Sequence, residues 1–315
     1  MTTATGSTAP RAPLDLVDAH RRWLDRADGG IRADFTRRSL PDLDLRGVRL
    51  SRALLRGADL SGADLTAARL DAAVLREANC THAILRDADL TGADLQMTRL
   101  DSAEAARANF SETQIEAASF DGATLEESLW FDAIVHRARF THAVLTGAAF
   151  SQARIHQADF SAADLSAANL SYVRVRLSRF TRAHLNNVRC NDAAFTDSNF
   201  AQAIFDGAIL VRADLTRCIF DRASIAGADL REARLNGADL SGAVLTGARM
   251  RHAVLTGADL RGANLRDARD LTRDQLAATR TDSTTILPSG AHGPYVPRSG
   301  MERPAAESIP NNSSA

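Results

Sequence analysis

The sequence predicts an all-β solenoid, a quadrilateral parallel β-helix of about 11.5 four-sided coils with short helical caps, and three observations predict it. Every fifth residue across 40–265 is apolar, mostly Leu or Phe. Two residues before each of these centres stands a small residue, usually Ala, so inward positions recur in steps of two and three. Like residues then return every twenty, as in Phe120, Phe140, Phe160, Phe180, Phe200 and Phe220.

The five-residue period excludes a helix, because at 100° per residue the inward set would scatter around the whole circumference. The step of two is the strand period and puts Ala and Leu on one side. The step of three must hold a bend. GADLSGADL, residues 57–65, is the plainest stretch: Ala58, Leu60, Ala63 and Leu65 point in, and Asp, Ser and Gly form the outer wall and corners. Twenty residues per coil make four sides and a square section. A second column, Ile115, Val135, Ile155 and Val175, repeats at the same interval. About 46 repeats give a rod about 55 Å long at the spacing of hydrogen-bonded strands. Ala105 is the smallest centre and Trp130 the largest, and they bracket the least regular stretch, where a local cavity or bulge is expected.

The ends need caps, because an open coil edge would pair with other chains. Residues 1–13 are expected to be disordered. Residues 14–39 form an N-terminal helical cap and lead-in: Leu16, Ala19, Trp23 and Ala27 fall at helical intervals, and Gly29 and Gly30 are the stop. The β-helix occupies 40–268. Residues 269–288 are a C-terminal helix and extended cap, with Thr272 as N-cap and the helix ending near Ala278. A disordered tail rich in Pro, Ser, Gly and Asn is expected over 289–315.

The units GADLS, GADLT, GANLR and AANLS resemble the A(D/N)LXX units of the pentapeptide-repeat family. The resemblance implies a right-handed coil and a protein partner. It allows a homodimer, and it allows a relation to the DNA-mimicking members that bind DNA gyrase and protect it from quinolone-type inhibitors. Unlike the loop-bearing resistance members, this chain has no insertions between repeats.

Composition narrows the function. The 315 residues are 45 % apolar but only 5 % aromatic, with 38 basic residues, all arginine, against 39 acidic ones. A net charge of -1 gives no overall field for direct nucleic-acid or membrane binding. No apolar run in the opening residues or elsewhere suits a signal peptide or a membrane span, so a cytoplasmic protein is expected. Cys80, Cys190 and Cys218 lack metal-ligand spacing and fall at inward positions. No nucleophile elbow, HExxH or phosphate loop occurs, and no enclosed seat for catalysis is evident, so the chain reads as a non-enzyme without a cofactor.

Two features remain as candidate sites. Glu116, His136, His156 and Arg176 form an outer column whose first three members could ligate a metal; a solvated ladder is the preferred reading, since an open column supplies no enclosing shell. Charge is also banded: residues 87–132 hold eleven acids against Arg99 and Arg107, net -9, while residues 137–189 hold eight arginines against Asp159 and Asp164, net +6. Near the boundary, Leu129, Phe131, Ile134 and Tyr172 point outward, with Asp121, Glu126, Glu127 and Asp132 close in sequence. These eight are the candidate partner-binding residues. Either they anchor a protein or a second rod, or the apolar ones cover irregular coils.

Overall fold

The computed structural model describes residues 12–303, and across the repeats the backbone pairs in parallel with the chain twenty residues on. Leu60 shows the bonding of one repeat. Its N–H donates to the Asn79 carbonyl in the next coil at 2.7 Å, the Asp59 N–H donates to the Arg38 carbonyl in the preceding coil at 2.8 Å, and the Ala63 N–H closes the corner on the Leu60 carbonyl at 3.1 Å. Buried polar backbone is thereby paired without long strands. Ala58 and Leu60 are wholly buried, as are their counterparts in nearly every repeat.

Each corner carries a conformational demand. The residue two after every centre, at every fifth position over 37–267, sits in the left-handed region with φ between 53° and 71°. No Val, Ile or Thr occupies any of these positions. β-branched residues are excluded there because their second γ-substituent collides with the backbone at positive φ.

The four walls are named by their centres. The first runs through Leu55, Val135 and Leu255, the second through Leu60 and Phe140, the third through Leu65 and Leu145, and the fourth through Leu50 and Trp130. Among the described residues, regular strands form only on the first: β1 (Gln114–Glu116), β2 (Ile134–His136), β3 (Arg154–His156) and β4 (Arg174–Arg176), parallel and in that order. Their centres are the β-branched Ile115, Val135, Ile155 and Val175, which hold the backbone extended one residue further before the corner begins. This part of the first wall is a small flat sheet.

The interior of the second wall is an aromatic stack. Phe120, Phe140, Phe160 and Phe180 lie ring over ring at 4.7, 4.6 and 4.8 Å with interplanar angles of 5° or less, and Phe200 and Phe220 continue the column. Across the interior, Trp130 stacks between Phe110 and Phe150. Its indole N–H donates to Ser128 Oγ at 2.7 Å, which in turn donates to the Leu125 carbonyl, so the serine that replaces alanine there satisfies a buried donor. The expected bulge at Ala105 does not form: Ala105 and Trp130 keep their bonds to Thr124 and Ala149 at 2.7 Å, because the coil-to-coil pairing depends on backbone and not on the size of the centre.

The caps and the coil depart from their expected bounds. Helix α1 (Pro13–Leu24) includes Pro13, and the coil register starts earlier than residue 40, with Asp34 paired to Leu54 and Phe35 buried. Inside the cap His20 bridges helix to coil, with Nε2 3.0 Å from the Ser51 carbonyl and Nδ1 accepting from Ala33 N–H at 2.9 Å. At the other end α2 (Arg273–Ala277) has a capping box, Thr272 and Gln275 each bonding the other's backbone N–H. The tail is structured further than the expected boundary at 289. Ile286 pairs antiparallel with His292, Gly293 N–H bonds the Thr285 carbonyl at 2.7 Å, and Tyr295 and Met301 pack on the core. Those apolar contacts supply what a Pro- and Ser-rich composition conceals. The rest of the two predicted disordered ends, 1–11 and 304–315, lies outside the described residues.

Candidate interaction face

The first wall and its two flanking corners hold most of the large apolar side chains that face outward in the middle of the rod. Ile134 stands on the wall, 47 % exposed. Phe131 and Tyr172 occupy the corner shared with the fourth wall, 40 % and 58 % exposed, and Met97 and Leu177 occupy the opposite corner, 52 % and 47 % exposed. Met97, Tyr172 and Leu177 take φ of 55°, 62° and 54°. A bulky side chain in that region costs about 1–2 kcal/mol that glycine would avoid. It also buries little there in return.

Arginines border the same patch. The side chains of Arg154 and Arg174, stacked in successive strands, make no hydrogen bond or ion pair with any described residue. With Asp132, Gln152 and Tyr172 they line a shallow depression of about 350 Å³. A second depression, about 230 Å³, lies between Gln96, Gln114, Glu116, Ile134 and His136 on the same wall.

Of the residues singled out in sequence, the structure gathers Phe131, Asp132, Ile134 and Tyr172 around this corner. Leu129 is half-buried on the fourth wall, Glu126 and Glu127 sit at the corner between the third and fourth walls, and Asp121 sits between the second and third. Asp121 is engaged by Arg139 and by Thr141; its burial would raise its pKa, but those bonds outweigh burial and hold it below the usual carboxylate range. The charge bands are likewise less separate in space than in sequence. Asp94 is paired with Arg76, Glu104 with Arg86, and Asp87 with Arg107. The carboxylates of Glu112, Glu126 and Asp132 make no hydrogen bond or ion pair among the described residues.

The histidine column is a hydrogen-bonded stack. His136 Nδ1 bonds the Glu116 carboxylate, its Nε2 lies 3.2 Å from Gln157 Oε1, and its ring stacks on His156 at 5.1 Å. Among the described residues no group of three or more His, Cys, Asp or Glu is placed to hold a metal ion. The cysteines are buried, and burial pushes the thiols of Cys80 and Cys218 up to about 12 and that of Cys190 higher still. Among the described residues, no helix is long and apolar enough to cross a membrane.

The family model for pentapeptide repeats matches residues 31–66, 68–104, 200–237 and 233–269, and that for the pentapeptide repeat region matches 133–210. The chain belongs to the pentapeptide-repeat family. Its fold is the right-handed quadrilateral β-helix of that family. The interval 105–132, between the matched segments, runs from the smallest centre to the acidic edge of the corner patch.

Three solved pentapeptide-repeat structures are similar to this chain. HetL, involved in heterocyst differentiation regulation in the cyanobacterium Nostoc, is 28 % identical over 87 % of this chain and 97 % of its own, with a TM-score of 0.33. A pentapeptide repeat protein of the Arabidopsis thaliana thylakoid lumen is 27 % identical over 30 % and 68 %, with a TM-score of 0.25. QnrB1, a plasmid-mediated fluoroquinolone resistance protein, is 15 % identical over 62 % and 93 %, with a TM-score of 0.28. No curated protein matches. At such TM-scores the likenesses bear on neither partner nor site.

Two residues of the patch, Met97 and Leu177, were not among the candidates from sequence. Their signal was available only in part. Each is a large apolar residue two after a centre, but that position becomes telling once its positive φ is known.

Proposed function

We propose that the chain is a non-catalytic interaction scaffold, a rod in the cytoplasm whose working surface is the first wall around β1–β4. The observation that carries this reading is Tyr172: a large aromatic, 58 % exposed, held at φ 62° beside two unpaired arginines. The fold gains nothing from an exposed tyrosine in a conformation that glycine adopts freely, whereas aromatic and arginine side chains are those that anchor protein contacts. The test is the double substitution Phe131→Ala, Tyr172→Ala in the full chain. Thermal unfolding is expected to stay within about 2 °C of the parent, since neither residue is in the core. Association, measured by cross-linking of the purified protein and by affinity capture from host extract, is expected to be lost. A fall of many degrees with association intact would assign these side chains to covering the coil and overturn the reading.

A second reading is a DNA-mimicking protein that binds DNA gyrase and protects it from quinolone-type inhibitors, and hence confers resistance. The unpaired Glu112, Glu126 and Asp132 favour it. Pairing of the other acids with arginines from neighbouring coils weakens it. A gyrase supercoiling assay with and without a quinolone decides: no effect of micromolar protein in either arm removes this reading.

A further inference from the structure

We propose that the first wall is the contact between two copies of this chain, packed wall to wall and antiparallel about a two-fold axis at Ile134. The proposal rests on the scaffold reading and names the occupant of its working face.

The order of residues along the wall suits such a contact. A two-fold axis parallel to the strands and level with Ile134 brings each column of one rod against the same column of the other, reversed. Residue n on the central column then faces residue 268 − n of the other copy. Isologous contacts of this kind require a surface that is its own complement.

The central column meets that requirement. Ile134, the most exposed large apolar residue on it, faces its own copy. Two coils to either side, the unpaired Arg174 faces Asp94, which it would share with Arg76 of Asp94's own chain, and because of the symmetry this pair occurs twice. One coil further, Val74 faces Ala194. Two coils beyond that, Asp34 faces Arg234, neither of which forms an ion pair among the described residues. Leu54 facing Asp214 is the mismatch in this run. The neighbouring column places Glu116 opposite His156.

The corners, which were not used to choose the axis, fit as well. Met97 falls opposite Leu177, so the two exposed aliphatic residues of that corner cover each other. Tyr172 falls opposite Gly92, where a Cβ would meet nothing within 4 Å and a ring has room to lie. Arg137 and Asp132 each face their own copy, two like-charge contacts that oppose the pairing and keep it weak; Arg137 lies 4.0 Å from Glu116 of its own chain, which offsets part of its charge.

The patch between Asp94 and Arg174 spans four coil steps, about 19 Å. An interface of that length is small and charged at its ends, so the dimer is expected to be weak and salt-sensitive.

The test uses the full chain carrying Ile134→Cys and a short bismaleimide. The native thiols give little background, being buried and protonated at neutral pH. Ile134→Cys is expected to yield a covalent dimer. Val254→Cys, on the same column but six coils from the axis, is expected to yield none. Sedimentation velocity of the unmodified chain should show dimer at tens of micromolar in low salt, weakened about tenfold or more by 0.5 M salt. Arg174→Asp should abolish it, and Asp94→Arg with Arg174→Asp should restore it, with circular dichroism confirming that each variant is folded. Absence of cross-linking in the Ile134→Cys variant, equal cross-linking in the two cysteine variants, or failure of the charge swap to restore the dimer in a folded variant overturns the proposal. A monomeric chain whose capture of another protein is still abolished by the Phe131 and Tyr172 substitutions would refute the dimer and leave the scaffold reading in place.

Discussion

Tyr172 illustrates how much a single backbone angle decides in this fold. At φ 62° an L-residue pays for its Cβ, and glycine does not. Tyr172→Gly is therefore expected to raise stability by about 0.5–1 kcal/mol, read as a Tm higher by about 1–2 °C in a chain of this size. A lower Tm would mean that the ring contributes to the fold after all. Residue identity made the inward positions legible, since Ala58, Leu60 and their repeats are specified by volume alone. It left the corner positions opaque, because Arg, Gly, Asp, Ala, Tyr and Leu all occur there; the rule they obey is the absence of β-branching, which shows only when the positive φ is known.

At the scale of elements, the two caps respond to acid at different points. His20 must be neutral, because Nδ1 accepts the Ala33 N–H; burial, against the pull of the Ser51 carbonyl, sets its pKa below the ordinary 6.5. The unfolded chain thus takes up the proton first. Stability from this contact is complete above 6.5 and drains away as pH falls below it. Trp23, stacked on His20 at 5.2 Å, should report this as a change in emission on acidification, and His20→Phe should flatten it. At the other end, the Thr284 hydroxyl, the Thr284 and Gly262 N–H groups and the Thr285 hydroxyl hold Asp282 at about 2, against an ordinary 3.8. Its contribution is present above 3.8 and is lost as pH falls through about 2, so hydrogen exchange should show α1 loosening before the C-terminal cap. Both cap helices were legible, α1 from its apolar spacing and α2 from Thr272. The ordered segment after Pro288 was not, because Tyr295 and Met301 are the few large apolar residues of a polar, Pro-rich run, with Val296 beside the first, and they carry no period.

For the whole molecule, stability is a sum of coils and their interfaces, so a complete coil should be removable. Deleting residues 201–220 keeps every centre and corner in phase, and the product is expected to unfold cooperatively with a Tm within about 3 °C of the parent. Deleting residues 201–207 puts Ala and Leu out of phase downstream and should leave that half unfolded by circular dichroism. Equal damage from the two deletions would contradict a fold held by phase. The candidate face was legible only in pieces: Ile134 and Phe131 stood out, but the antisymmetry of Asp94 and Arg174 appears once Ile134 is set as an origin and distances are counted in coils. That counting is possible because each residue pairs with the one twenty ahead, each step advancing about 4.8 Å. The chain is in effect a graduated rule: separation in sequence, divided by twenty, is separation in space, and moving one charge by one division re-addresses it without disturbing any other mark.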